Sequence, residues 1–362
     1  MIKAIDYSAF SLSLHEAALQ KDIPLDGTLE LTAHCNLNCV HCYIRDDSRK
    51  DELTYTEICR ILDEITDAGC LWLLLTGGEP LVRKDFFDIY KYAKQKGLII
   101  TLFTNGTLIT EETAIFLKKW TPFSVEITLY GATREVYEAM TGAPGSYDAC
   151  VNGIKLLVKH GVPLSLKTMV TTINKHELLE IKRFAEGLGL KFRYDPIINP
   201  RLDGSKSPYD VRVTADEVVE FDINDEERTR EWIELYEKFY GPASAEHLFN
   251  CGVGKSSFHI TPSGRLQVCE LVPRPDYDLR RNSFVDGYSL FPGIRSKRLK
   301  GAETCAGCEY ILICDNCPGF SMLEGDNDGE RPVDYHCRTA SKRAGHIKME
   351  SDYGKEKNLQ ET

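Results

Sequence analysis

The 362-residue sequence lacks any apolar run close to the roughly 18 residues that a membrane span requires. Its start, Met1 to Leu25, mixes charged with apolar residues and has no continuous signal-peptide core. An excess of positive charge is missing as well: 44 Lys and Arg stand against 55 Asp and Glu, a net charge of −11. These absences argue against a membrane protein and against nucleic acid or an anionic membrane as the main partner. A soluble, cytoplasmic chain is expected. Low-complexity tracts and solenoid-type repeats are absent too. The cysteine count is not even: there are 13. In a reducing compartment such a number does not suggest a disulfide framework, so metal or cluster ligation is the better starting point. The length exceeds the roughly 250 to 300 residues at which one core stops growing, so one large domain and a smaller one are expected.

What is present from residue 27 to residue 200 is a repeating pattern. Apolar or β-branched runs (Thr28 to Thr32, Leu71 to Leu75, Leu98 to Phe103, Ser124 to Leu129, Leu164 to Val170, Leu190 to Tyr194) alternate with amphipathic stretches. In the first such stretch Ile58, Ile61, Leu62 and Ile65 recur at helical spacing behind a capping box, Thr54 to Glu57. Further helices are predicted over Asp85 to Gln95, Glu111 to Trp120, Tyr147 to His160 and Lys175 to Gly187, several closed by Gly. Six strands alternating with five helices predict parallel βαβ units in an α/β barrel or open sheet, with the chemistry at the carboxyl ends of the strands. After residue 200 the pattern dissolves. One acidic helix is predicted near Glu226 to Tyr240, a Cys-, Gly- and Pro-rich region spans 251 to 337, and a charged tail follows. The expected segments are 1–26 (extension), 27–240 (barrel), 241–340 (Cys-rich domain) and 341–362 (tail).

Ten of the 13 cysteines fall into ordered groups. Cys35, Cys39 and Cys42 are spaced C-x3-C-x2-C after the first strand. Three thiolates can hold three corners of a cubane cluster and leave one iron open to chelate a small molecule. Zinc is the alternative, with His34 or His41 completing the set. Cys251 and Cys269 form a second group with Gly264 between them. Cys305, Cys308, Cys314 and Cys317, spaced C-x2-C-x5-C-x2-C, form a third, followed by Cys337. A zinc ribbon is the alternative for these pairs. Cys59, Cys70 and Cys150 lie on or beside helical patterns and read as small hydrophobes.

C-N-L-N-C-V-H-C-Y after the first strand, followed by T-G-G-E-P (Thr76 to Pro80) after the second, resembles the radical S-adenosylmethionine (SAM) superfamily. The seven later ligands resemble its C-terminal SPASM extension. The resemblance implies a partial (β/α)6 TIM-like barrel with a small iron-sulfur domain. It implies a four-iron four-sulfur cluster on Cys35, Cys39 and Cys42, whose open iron takes SAM for reductive cleavage to a 5′-deoxyadenosyl radical. It also implies SAM contacts from Gly77, Gly78 and Glu79, from Asn105, from Thr128 beside the ribose, from Lys167 to the methionine carboxylate, and from His41 near the adenine. Where relatives often read S-L-D-G, this chain has T-L-Y-G (Thr128 to Gly131), so Tyr130 alters a ribose or substrate contact.

By the same resemblance Cys305, Cys308, Cys314 and Cys337 hold one auxiliary cluster, and Cys251, Cys269 and Cys317 hold another. The last gap of the third group is one residue shorter than usual, which bears on the role of Cys317. Seven cysteines for two clusters leave one position open, to be filled by substrate or by a group such as His259. Glu270, directly after Cys269, is the expected proton acceptor, with Asp195 at the end of the sixth strand as the alternative. The function implied is modification of a peptide or protein side chain: crosslinking, thioether formation, decarboxylation or oxidation. A tetrapyrrole or other small metabolite is the second reading, and a non-catalytic zinc protein the third. Expected partners are the peptide substrate, a separate small protein that presents its leader, and a reductant such as flavodoxin or ferredoxin.

Overall fold

The computed structural model describes residues 7–44, 51–239, 247–249, 251–298, 305, 308–311, 313–314, 317–325, 329 and 331–360, with side chains for all of these except 238–239 and 349–360. Nine strands form one sheet: β1 (Asp26–Glu30), β2 (Trp72–Thr76), β3 (Ile99–Thr104), β4 (Ser124–Thr128), β5 (Leu164–Met169), β6 (Lys191–Asp195), β7 (Ser257–Ile260), β8 (Arg265–Gln267) and β9 (Tyr277–Asp278). Their spatial order is β6-β5-β4-β3-β2-β1-β7-β8-β9. The first six strands are parallel, as the βαβ pattern predicts, and β7 joins β1 in parallel before a short antiparallel β8 and β9 finish the sheet. Among the described residues the two edges, β6 and β9, are not paired to each other, so the barrel is partial.

Alternation along the strands separates two faces. Leu29, Leu73, Leu75, Ile100, Leu102, Val125, Ile127 and Leu166 are buried against the helices. The opposite face carries Thr28, Thr101, Phe103, Glu126, Thr128 and Lys167 and lines a polar interior. The helices that cover the outer face are α2 (Tyr55–Asp67), α3 (Phe86–Gln95), α4 (Glu111–Lys119), α5 (Arg134–Thr141), α6 (Ser146–His160) and α7 (Leu178–Gly187), preceded by α1 (Tyr7–Lys21). On α2 the predicted box is present in both directions: the Glu57 N–H donates to Thr54 Oγ1, and the Thr54 N–H donates to Glu57 Oε2 at 2.8 Å. Such a cap contributes about 1 kcal/mol, and the stripe Ile58, Ile61, Leu62, Ile65 is buried beneath it.

The extension before β1 is a helix at the amino ends of the strands. His15 Nε2 lies 3.0 Å from Asp26 Oδ2, and the Trp72 indole donates to the Tyr7 hydroxyl at 3.1 Å. α1 therefore closes the end of the barrel opposite the predicted chemistry.

After β6 come α8 (Ala215–Ile223), α9 (Glu226–Phe239), α10 (Phe284–Tyr288), α11 (Phe291–Arg295), α12 (Pro318–Glu324) and α13 (Asp334–Gln360). The start of the expected second domain, 241–246, lies outside the described residues, and its strands continue the barrel sheet. The segment expected as a charged tail from residue 341 belongs, through Gln360, to α13. Its anchor is polar as well as apolar. Arg343, only 2% exposed, donates from Nε to Asp222 Oδ2 at 2.8 Å and lies over the Trp232 ring, while Ala344 and Ile347 pack with Tyr236 and Ile313.

Candidate active site

The loop after β1 carries Cys35, Cys39 and Cys42, and the loop after β2 is pressed against it. The Gly78 N–H donates to Thr32 O and the Glu79 N–H to His34 O, both at 2.8 Å. A side chain at either glycine is impossible without moving backbone, since a Cβ on Gly77 would lie 2.3 Å from Thr32 O and one on Gly78 2.3 Å from His34 O. Gly77 also has φ +132°, a conformation that L side chains rarely adopt. The two glycines thus set the position of Cys35.

Glu79 faces inward. Its side chain is fully buried and accepts from Thr104 Oγ1 (2.8 Å), from the Asn105 N–H (2.7 Å) and from the Leu81 N–H (3.1 Å). Burial raises its pKa, and those three donors oppose the rise. It ties the end of β2 to the end of β3. Asn105 in turn bridges the Cys loop, donating to Asn36 Oδ1 at 2.9 Å and lying 3.8 Å from Cys35 Sγ.

The three thiols share one environment. Burial pushes the Cys39 pKa well up, and the neighbouring Cys42 and Cys35 add to that. Tyr130 feels the charges of all three, and Thr128, expected beside a ribose, ends β4 in register with Lys167 on β5. His41 is packed edge-on against the Tyr130 ring at 4.8 Å. Burial lowers its pKa to about 4, so it is neutral near pH 7.

A second set of groups lies between this loop and the C-terminal region. The Tyr43 hydroxyl, from the residue after Cys42, donates to Glu270 Oε2 at 3.2 Å; Glu270 is the residue after Cys269. Glu30, at the end of β1, is 4% exposed, and His259 Nε2 on β7 stands 3.8 Å from its Oε2. Burial alone would lower the His259 pKa, but Glu30, helped by Glu270, outweighs it and holds the pKa above the ordinary value. Lys167 on β5 lies 3.4 Å from Glu126 Oε2, which also takes Arg193 Nη2 at 2.6 Å. Burial lowers the Lys167 pKa to about 8 against the pull of Glu126. Asp195 is exposed at the carboxyl end of β6 and accepts from the Ile197 N–H at 2.8 Å.

The remaining cysteines gather in two places. Cys269, its pKa raised to about 12 by burial, feels the charges of Glu270, Cys317 and Cys251. Cys305 feels Cys337 and Cys308, and Cys314 Sγ lies 3.8 Å from the carbonyl of His336, the residue before Cys337. Cys70 and Cys150 are buried and Cys59 is half-buried, away from both groups.

These residues suit the cofactors that the motifs imply. Three thiols sit on one loop, and two buried polar atoms beside them, His41 Nδ1 and Glu30 Oε1, have no protein partner. Among the described residues no three or more His, Cys, Asp or Glu converge as the ligands of one metal ion do, whereas a cubane takes one thiolate at each of separate irons. Tyr43, Glu30, Glu126 and Arg193 were not singled out from the sequence. The available signal was a carboxylate inside an apolar strand run, at Glu30 and again at Glu126.

A model of the radical SAM superfamily matches residues 29–185. The chain is 30% identical over 348 residues to the mycofactocin maturase MftC of Mycobacterium tuberculosis, covering 90% of this chain and 87% of that protein. It is 29% identical over 315 residues to the AdoMet-dependent heme synthase of Methanosarcina barkeri, covering 80% and 89%. The crystal structure of Streptococcus suis SuiB bound to the precursor peptide SuiA shares the fold, with a TM-score of 0.69 over 93% of this chain and 82% of that one at 17% identity.

Proposed function

Because the chain belongs to the radical SAM superfamily, we propose that it oxidatively modifies a side chain of a peptide or protein. Cys35, Cys39 and Cys42 would hold a four-iron four-sulfur cluster, which together with SAM would supply a 5′-deoxyadenosyl radical able to take a hydrogen atom from a substrate C–H bond. The substrate radical must then lose one electron and one proton. Cys251, Cys269 and Cys317 would hold one auxiliary cluster, and Cys305, Cys308, Cys314 and Cys337 the other, and such a cluster would supply an acceptor for the electron. Glu270 takes the proton, held for that task by the Tyr43 hydroxyl.

The observation that carries this reading is the 3.2 Å hydrogen bond from Tyr43 to Glu270. It joins the residue beside the radical-generating ligands to the residue beside an auxiliary ligand, so hydrogen abstraction and oxidation share one interior. A peptide as substrate is supported by the relative named a mycofactocin maturase, which this chain spans over 87% of its length, and by the shared fold of SuiB with its precursor peptide. The interior also suits a polar chain, since it pairs Glu126 with Lys167 and Arg193. A separate small protein presents the peptide leader, and flavodoxin or ferredoxin supplies electrons. The enzyme works in the cytoplasm; among the described residues no helix is long and apolar enough to cross a membrane.

The heme synthase relative favours a second reading, a tetrapyrrole substrate. Anaerobic reactions with SAM and reductant separate the two. Peptides encoded beside the gene should lose two hydrogen atoms by mass, alone or together with carbon dioxide, and an iron-bound tetrapyrrole carboxylic acid should be returned unchanged. Turnover of the macrocycle alone would reverse the assignment. Equal turnover of the peptide with and without the presenting protein would remove that partner from the account.

A further inference from the structure

The segment that follows β6 lies at the carboxyl rim of the barrel and folds onto the cysteine loop. The Leu202 N–H donates to Tyr43 O at 3.1 Å. The turn also closes on itself, with the Arg201 N–H on Ser205 O and the Gly204 N–H on Arg201 O, both at 2.9 Å. Its far end is tied to α12, where Lys206 Nζ donates to Glu324 O and Arg212 Nη1 to Glu324 Oε1, each at 3.1 Å. The turn thus spans from the residue after Cys42 to the C-terminal region.

Arg201 is 8% exposed, and its Nε donates to Ser207 Oγ at 2.8 Å. Among the described residues that hydroxyl is the one hydrogen-bond partner of its side chain: no carboxylate lies within ion-pair distance, and neither Nη nitrogen has a protein acceptor. Other arginines in buried surroundings are paired. Arg343 lies 2.8 Å from Asp222, Arg83 2.8 Å from Asp85 and Arg212 3.1 Å from Glu324. In a chain of net charge −11, a desolvated guanidinium held by a hydroxyl is the exception, because a buried charge is costly unless it is paired.

We propose that Arg201 is a substrate-binding residue whose two Nη nitrogens take a carboxylate of the peptide. The inference rests on the peptide reading above. A guanidinium matches a carboxylate with two parallel N–H···O bonds, and Ser207, by holding Nε, leaves the Nη pair for that contact. The place of the turn favours the peptide over SAM as the source of the carboxylate. It docks on the backbone of Tyr43, whose hydroxyl donates to Glu270 at 3.2 Å, so it borders the part of the interior that holds the proton acceptor. Lys167, on β5, is the cation expected for the methionine carboxylate. The rival role for Arg201 is a counter-ion to the cysteines, since burial raises the Cys42 pKa and the Arg201 charge opposes that rise.

The test is fluorescence anisotropy of the labelled peptide encoded beside the gene, titrated with reconstituted enzyme and SAM in the absence of reductant. Arg201→Gln should weaken binding by roughly 10- to 100-fold, the range of a charge-assisted hydrogen-bonded pair. Peptides neutralised at one carboxylate at a time, by C-terminal amidation or by exchange of an acidic side chain for its amide, complete a double-mutant cycle. One of them should lose the same factor on the wild type and nothing further on Arg201→Gln. Equal binding of every neutralised peptide to the wild type overturns the proposal, and this arm does not depend on how the variant folds. An Arg201→Gln enzyme that holds the parent peptide as tightly as the wild type overturns it too, as does one whose only change is weaker SAM binding or a shifted cluster midpoint. A wild type that binds the peptide through Arg201 yet returns it unmodified after SAM and reductant are supplied refutes the peptide-modifying reading instead.

Discussion

At Glu79 a motif carboxylate is given over to the protein's own backbone. The spacing of Gly77, Gly78 and Glu79 was readable, but the partners of the Glu79 side chain, Thr104, Asn105 and Leu81, were not, since they lie beyond the motif or in its backbone. Glu79→Ala should leave the Asn105 N–H and the Thr104 O–H without acceptors, at about 1–3 kcal/mol each. Urea unfolding should show that loss, and SAM affinity should fall with it, because the Asn105 loop moves. The cysteine positions were fully legible, since ligand spacing is local. The partners of Lys167 were not, since they sit on other strands. Its pKa near 8 gives a pH signature. The folded chain binds fewer protons at Lys167 than the unfolded chain does between about 8 and the ordinary lysine value, so stability should rise with pH across that window. Thermal melts from pH 7.5 to 10 should show this gain, roughly 2 kcal/mol, and Lys167→Met should abolish it.

Among the elements, legibility followed local chemistry. The βαβ units were visible because period-2 and period-3.6 patterns alternate, and α2 because Thr54 and Glu57 form a capping box. The same T-x-x-E signal stands at Thr214 and Glu217 before α8, where the box is again present, yet the short acidic helix behind it has little apolar stripe to announce it. α13 was not announced as a helix for a different reason: its anchor is a buried Arg. With Arg343 and Arg228 both on Asp222, the helix is held by charge that sequence periodicity does not display. Removing one partner of a buried pair typically costs about 3–5 kcal/mol. Arg343→Ala should lower the melting temperature by several degrees and release iron from the C-terminal cysteines first. Cys35, Cys39 and Cys42 should keep their iron, which the SAM-responsive EPR signal would report.

On the scale of the whole molecule, two distant stretches of chain build one interior. β7 adds to β1, and that junction brings Glu270 to Tyr43 across 227 positions of sequence. Long-range contacts of this kind leave no trace in a single sequence, whereas the family resemblance and the parallel sheet did. The account requires three clusters, so reconstituted protein should carry about 12 irons per chain with matching sulfide. Two or three zincs would contradict it.

Reductive cleavage of SAM at the loop after β1 underlies every later step. Its most direct measure is 5′-deoxyadenosine released in an anaerobic reaction of reconstituted enzyme with SAM, reductant and peptide. The wild type should release it, one molecule for each peptide oxidised, and Cys39→Ala should release none. A wild type that holds iron yet yields no 5′-deoxyadenosine, or a Cys39→Ala enzyme that yields as much as the wild type, would contradict the account.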